Sequence, residues 1–272
     1  MKKILCNLII TLAIIMMIIS VIYIGYIALQ WKKNNEISNL LDEVEILGAG
    51  EAENERIQQV QGLKEINQDI IGWLEIEGTN INYPVLQSED NEYYLNHDYK
   101  GAEDVNGSIF LDYATKLGET SNYMIYGHNN KNGIMFDQLE KFKDYEFYSK
   151  HKTIRFTTED SDDEYEIIAV LMTDAQNDFT SNNHDIEDND FKYYSFNNIN
   201  NETDFNLFVE NCKQHSLYEI EKTAKFGEQL ITLSTCEYST KDGRLGIVAK
   251  KLKSDRVFFC VKNDRVFFLQ FV

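Results

Sequence analysis

From Ile4 to Leu29 the chain is almost wholly apolar, with Asn7, Thr11 and Ser20 its only clearly polar side chains. No other stretch restricts the fold as much. Lipid offers no hydrogen bonds, so a lone segment that crosses it must satisfy its own backbone as a helix. Leu8 to Leu29 is 22 residues, about 33 Å of helix, against a hydrocarbon core of roughly 30 Å. A cleaved leader has a shorter apolar core and a small-x-small site, whereas this run passes through Ile27-Ala-Leu-Gln-Trp-Lys-Lys33 without one. The expectation is an uncleaved membrane anchor over residues 1–33, with one transmembrane helix. Lys2 and Lys3 face Lys32 and Lys33 across the span. The amino terminus tips the balance toward N-terminus inside, single-pass, with the C-terminal domain outside.

Residues 34–66 are polar with recurring apolar positions. Ile37, Leu40, Leu41, Val44 and Leu47 have helical spacing, Gly48-Ala-Gly50 interrupts it, and Ile57, Val60, Leu63 and Ile66 resume it. This predicts a stalk helix, a break, and a second helix packed on the domain. The folded domain is expected over residues 67–252, a normal size for one core. Strands are predicted at 70–76, 81–86, 107–112, 122–126, 153–157, 164–173, 229–235 and 245–252, with Pro84 at an edge or strand end. Short helices are predicted at 91–97, 136–151, 191–196 and 204–213, the last with Cys212 on its core face. Asp174 to Asp190 reads as loop. Glu159-Asp-Ser-Asp-Asp-Glu164 lacks the EF-hand pattern and reads as a solvated hairpin tip. Many short strands with few intervening helices indicate a closed β-structure or a sandwich rather than a βαβ fold.

Asp255-Arg-Val-Phe-Phe259 recurs as Asp264-Arg-Val-Phe-Phe268. Two copies are too few for a solenoid. The tail, residues 253–272, is open to three readings: an added β-hairpin, a membrane-surface patch, or a translated frameshift.

Net charge is −19, which argues against general nucleic-acid binding. The cysteines at 6, 212, 236 and 260 and the histidines at 97, 128, 151, 184 and 215 match no zinc spacing. No metal and no cofactor are expected.

Ile231-Thr-Leu-Ser-Thr-Cys236 reads as a strand ending in a thiol, followed by the polar loop Glu237-Tyr-Ser-Thr-Lys-Asp-Gly243. Arg244 opens the next strand. If the two strands pair, the guanidinium returns to the end of the sheet that bears the thiol. A cysteine in an apolar strand is most often core filling, so the meaning of Cys236 depends on its surroundings. His128 follows another strand end. Cys, His and Arg at one rim make a coherent set: a thiolate attacks a carbonyl, an imidazolium protonates the leaving amine, and a guanidinium stabilises the oxyanion or holds the substrate.

At these residues the chain resembles the sortases, class B in particular. The resemblance rests on Tyr126-Gly-His-Asn129, Thr232-Leu-Ser-Thr-Cys-Glu237, and Gly243-Arg244 followed by a strand. It extends to Gly72-Trp-Leu, Asn82-Tyr-Pro-Val85, Tyr94-Leu-Asn96, Gly107-Ser-Ile-Phe-Leu-Asp112 and Met135-Phe-Asp137. Coverage is roughly residues 65–252. The resemblance implies a mainly β fold with flanking helices: a closed eight-stranded sortase-type barrel with an N-terminal helical extension. It implies a cysteine transpeptidase on the outer face of a Gram-positive membrane. Cys236 would be the nucleophile, His128 the general acid/base and Arg244 the third catalytic residue. Substrates would be surface proteins with a C-terminal sorting signal (NPxTN, NPxTG or PxTG-like) cut after Thr. An amine of a peptidoglycan precursor or cross-bridge would resolve the thioacyl-enzyme. Asn91, Leu95, Tyr126, Thr173, Ser234 and Glu237 match substrate-binding positions. Strand alternation also puts Ser234 on the face of Cys236.

Two other readings use the same residues. A cysteine hydrolase would let water resolve the acyl-enzyme, and the same triad would serve it. An inactive cell-surface binding module would keep Cys236 as a core residue.

Overall fold

The computed structural model describes residues 2–38, 52–130, 133–174, 193–196, 199–237, 243–253, 258–262 and 265–269. The first helix, α1 (Lys2–Ser38), contains the apolar run, and Asn7–Leu29 within it is long and apolar enough to cross a membrane. Thr11 and Ser20 donate their hydroxyls to the carbonyls of Asn7 and Met16, each at 2.9 Å. The polar interruptions are thereby satisfied on the helix itself, as hydroxyls in an apolar helix must be. Most of the stalk, residues 39–51, lies outside the described residues, including Leu40, Leu41, Val44, Leu47 and the glycine break. The second helix, α2 (Ala52–Leu63), buries Val60 and Leu63 against the domain. Ile66 lies past its end and is exposed.

Eight strands follow: β1 (Ile70–Glu75), β2 (Asn82–Leu86), β3 (Ile109–Leu111), β4 (Asn122–Tyr126), β5 (Thr153–Thr158), β6 (Asp162–Asp174), β7 (Leu230–Glu237) and β8 (Gly243–Lys251). Among the described residues they close into a barrel in the order β1-β2-β3-β4-β7-β8-β6-β5. The pairs β2–β3 and β4–β7 are parallel and the others antiparallel. Pro84 pairs with Trp73 of β1, while the ladder to β3 begins only at Val85. Proline therefore sits where β2 has one neighbour, and its missing N–H leaves no ladder bond unmade.

Alternation divides the apolar residues into two layers. Ile125, Ile231, Leu233, Leu245 and Ile247 fill the barrel. Met124, Leu230 and Val248 point outward instead. Two later helices complete the domain, α3 (Tyr145–Lys150) and α4 (Glu202–Gln214). Phe205, Phe208, Val209 and Cys212 of α4 cover the outward residues, so Cys212 is core, as predicted.

Four local expectations are corrected. The helix predicted over 136–151 is a 3₁₀ segment, Met135–Lys143, followed by α3. The break is Asp144, whose extended backbone lets its side chain cap α3 through the Glu146 N–H. The helix predicted over 91–97 is one 3₁₀ turn, Tyr93–Leu95, started by Asp90 Oδ1 accepting from the N–H groups of Glu92 and Tyr93. The helix predicted over 191–196 is a 3₁₀ turn, Tyr193–Ser195. The acidic hairpin is a solvated tip only in part: Asp160 and Glu164 are exposed around the turn between β5 and β6. Asp162 and Asp163 are buried at the start of β6, where Arg56, Arg155 and Lys251 take up their charges.

The predicted loop lies outside the described residues except for Asp174, which ends β6. In the tail, β9 (Phe258–Lys262) and β10 (Arg265–Leu269) pair with each other as an antiparallel hairpin. Of the three readings of the tail, this backbone matches the added hairpin.

Candidate active site

The register of three strands builds the site before any side chain is considered. Tyr126 of β4 pairs with Ser234 of β7, and Ser234 pairs with Gly246 of β8. Strands β4 and β7 run parallel, so two residues further on, His128 follows Tyr126 as Cys236 follows Ser234. Strand β8 runs the other way, and Cys236 pairs with Arg244. Thr173 of β6 pairs with Arg244 on its far side. Residues 236, 244 and 173 thus form one row across the end of the sheet, and His128 lies two residues past the last paired residue of β4. Glu237 pairs with Gly243, one step beyond.

A cleft of about 350 Å³ opens along these rows. Asn91, Leu95, Tyr126, His128, Ser234 and Arg244 line it, together with Phe110 and Tyr194. Larger hollows of about 430 Å³ beside α4 and about 590 Å³ around Tyr148 and Tyr218 contain none of these residues. The cleft has mostly apolar walls with a few convergent polar groups, the usual character of a ligand site.

Main-chain bonds anchor the histidine segment. Gly127 N–H donates to Ser234 O at 3.3 Å, and Phe136 N–H donates to His128 O at 2.9 Å. Thr235 Oγ1 donates to Gly127 O at 2.7 Å. The ring of His128 is held by the Leu95 carbonyl, 2.8 Å from Nε2. A carbonyl only accepts, so Nε2 carries a proton and the neutral ring keeps Nδ1 as its base.

The Tyr126 hydroxyl donates to Asp112 Oδ2 at 3.2 Å. Burial first, and then the Asp112 carboxylate, push this phenol far above the ordinary tyrosine range, while Arg244 pulls the other way. Tyr126 therefore stays a neutral donor at any working pH. Ser234 Oγ lies 2.9 Å from the Tyr193 hydroxyl. The Tyr193 ring lies over Gly246, where a Cβ would come within 2.7 Å of it. Only glycine at 246 lets this fully buried tyrosine reach the row that carries Ser234.

Asn91, Leu95, Tyr126, His128, Ser234 and Arg244 therefore meet in one cleft. Cys236, Thr173 and Glu237 are placed by their backbone pairing alone. Asp112, Tyr193 and Tyr194 were missed as site residues. The tyrosines sit in a turn with no periodic signal. Asp112 has the pattern of a strand end, and its role depends on partners 21 and 14 residues away.

Comparisons with known proteins agree with this geometry. The sortase domain model matches residues 74–252. Sortase B of Listeria monocytogenes is 34% identical over 232 residues, covering 82% of this chain and 88% of the relative. The crystal structure of Staphylococcus aureus sortase B superimposes with a TM-score of 0.68 at 30% identity, covering 82% of this chain and 99% of the other. A complex of Staphylococcus aureus sortase B with its substrate has a TM-score of 0.62 at 31% identity, covering 72% and 85%. With its closed barrel and the pairing of Cys236 with Arg244, the chain belongs to the sortase family, on the class B branch, and is a cysteine transpeptidase of that type.

Proposed function

We propose that this sortase is anchored by residues 1–33, with the stalk 34–66 and the catalytic domain 67–252 on the outer face of the membrane and the tail 253–272 outside the reaction. The pairing of Cys236 with Arg244, with His128 lining the same cleft as Arg244, is the observation that supports the catalytic assignment. Cys236 as thiolate attacks the Thr carbonyl of a C-terminal sorting signal of NPxTN, NPxTG or PxTG type. Arg244 stabilises the oxyanion or holds the signal backbone. His128, with Nε2 committed to Leu95, passes the Nδ1 proton to the leaving amine, and a thioester remains on Cys236. A peptidoglycan precursor or cross-bridge amine then attacks the thioester, loses a proton to His128, and frees the thiol. Asn91, Leu95, Tyr126, Thr173, Ser234 and Glu237 are proposed to hold the signal.

The test uses the full chain in detergent micelles with a panel of signal peptides, with and without an amine acceptor. Intact-protein mass spectrometry should show a thioacyl adduct on Cys236, and the amine should yield a ligated product. Cys236→Ala should abolish both. Cleavage without ligation at saturating amine would favour a hydrolase, and full activity in the Ala variant would remove Cys236 from the mechanism.

A further inference from the structure

Asp112 follows β3 directly and is 4% exposed. Its Oδ2 accepts from Asn91 Nδ2 at 2.8 Å and from the Tyr126 hydroxyl at 3.2 Å. Its Oδ1 accepts from the Ala114 N–H at 2.9 Å. The backbone is tied as well: Asp112 N–H donates to Met124 O at 2.8 Å, and its carbonyl accepts from Gln87 Nε2 at 2.9 Å. Asn91 Oδ1 in turn accepts from the Tyr113 N–H at 2.9 Å. Two side chains on different walls of the cleft thus converge on one carboxylate oxygen.

A buried carboxylate is costly unless every approach is a donor. Here three donors reach it. Packing alone would be served by a neutral residue of the same shape. A carboxylate adds an acceptor that never donates. By taking the proton of Tyr126, which lines the cleft, it leaves the phenol oxygen only its acceptor lone pairs. By taking one N–H of Asn91, which lines the cleft, it leaves the other N–H for a further acceptor. We propose that Asp112 is a positioning residue for the signal peptide, setting Tyr126 as an acceptor and Asn91 as a donor toward the peptide backbone without touching the reacting atoms. This rests on reading the cleft as the sorting-signal groove.

The isostere tests it. In Asp112→Asn the amide keeps the Ala114 bond only by presenting its NH₂ to Asn91, where donor meets donor, and to Tyr126, whose oxygen then accepts and whose proton must turn away. Steady-state kinetics of the full chain in micelles, with thermal melts for each variant, should show KM raised at least tenfold and kcat within about threefold. Adding Asn91→Ala or Tyr126→Phe to Asp112→Asn should cost less than the product of the single effects, because the partners act as one unit. The exchange Asp112→Asn with Asn91→Asp restores the pairing with its polarity reversed, so it should recover the melting temperature but not KM, because a carboxylate at 91 has no N–H to offer the peptide. It carries the test if Asp112→Asn alone does not fold. Overturning results are kcat/KM within twofold of the unaltered chain in folded Asp112→Asn, effects that multiply, or an exchange variant whose KM returns to that of the unaltered chain. An unaltered chain inactive on every peptide overturns both this inference and the proposed function. An active unaltered chain with an indifferent Asp112→Asn overturns this inference alone.

Discussion

Gly107 has a φ of +59°, and a Cβ there would lie 2.5 Å from Tyr94 O and 2.6 Å from Leu95 O. The second of these carbonyls holds His128. Gly107→Ala therefore does more than strain a left-handed residue, which by itself costs about 1–2 kcal/mol. It pushes on the peptide that orients the imidazole. The expected result is a loss of kcat/KM of about tenfold or more, since small misplacements of a reacting group are expensive. It should be measured below the melting transition, where circular dichroism shows the variant folded. An activity loss no greater than the unfolded fraction would detach Gly107 from His128. At this scale the residues proposed to react, 128, 236 and 244, stand out in the sequence because their motifs are local. The carbonyl, Asp112 and Tyr193 act through contacts between distant segments, and no local pattern marks them.

Helix α2 is held to the β5–β6 hairpin by charge. Arg56 Nε donates to Asp162 Oδ2 at 2.9 Å, and Arg155 Nη1 reaches the same oxygen at 3.0 Å. Lys64 pairs with Glu159 at 2.6 Å. Burial works to raise the Asp162 carboxyl pKa. Hydrogen bonds from Arg56 and Thr157, with the Arg56 and Arg155 charges, outweigh it and hold the group below the usual carboxylate range. A depressed folded-state value means that the stabilisation is complete above the unfolded value of about 3.9 and is lost as pH falls through the folded value. Arg56→Ala should cost about 1–3 kcal/mol near neutrality, as for a hydrogen bond to a charged group. Its difference from the unaltered chain should shrink below about pH 4. Denaturant melts at several pH values check this, and a cost equally large at pH 3 would contradict it. The strands were legible because period-two alternation survives into a closed barrel. The acidic hairpin was misread because its partners, Arg56 and Lys251, lie about a hundred residues away on one side and ninety on the other. The long 3₁₀ segment was misread as α-helix because its apolar residues, Met135, Phe136, Leu139 and Phe142, also fit helical spacing.

The molecule joins a helix whose apolar side chains stand exposed to a barrel with its own core. Expression of residues 52–252 alone should give a soluble protein whose Cys236 reacts with signal peptide as fast as in the full chain, whereas the full chain should sediment with membranes. Fractionation and adduct mass spectrometry check both, and a full chain found in the soluble fraction would remove α1 as an anchor. The tail hairpin pairs within itself, which places it outside the barrel's hydrogen-bond circuit. The barrel seam has a consequence in time as well as space. Strand β4 meets β7 across more than a hundred residues, Asn122 against Leu230, and β8 then closes the circuit between β7 and β6. A ribosome must finish nearly the whole domain before residues 128, 236 and 244 become neighbours. On the proposed assignment, the growing chain until then carries the Cys236 thiol without the two companions proposed to activate it.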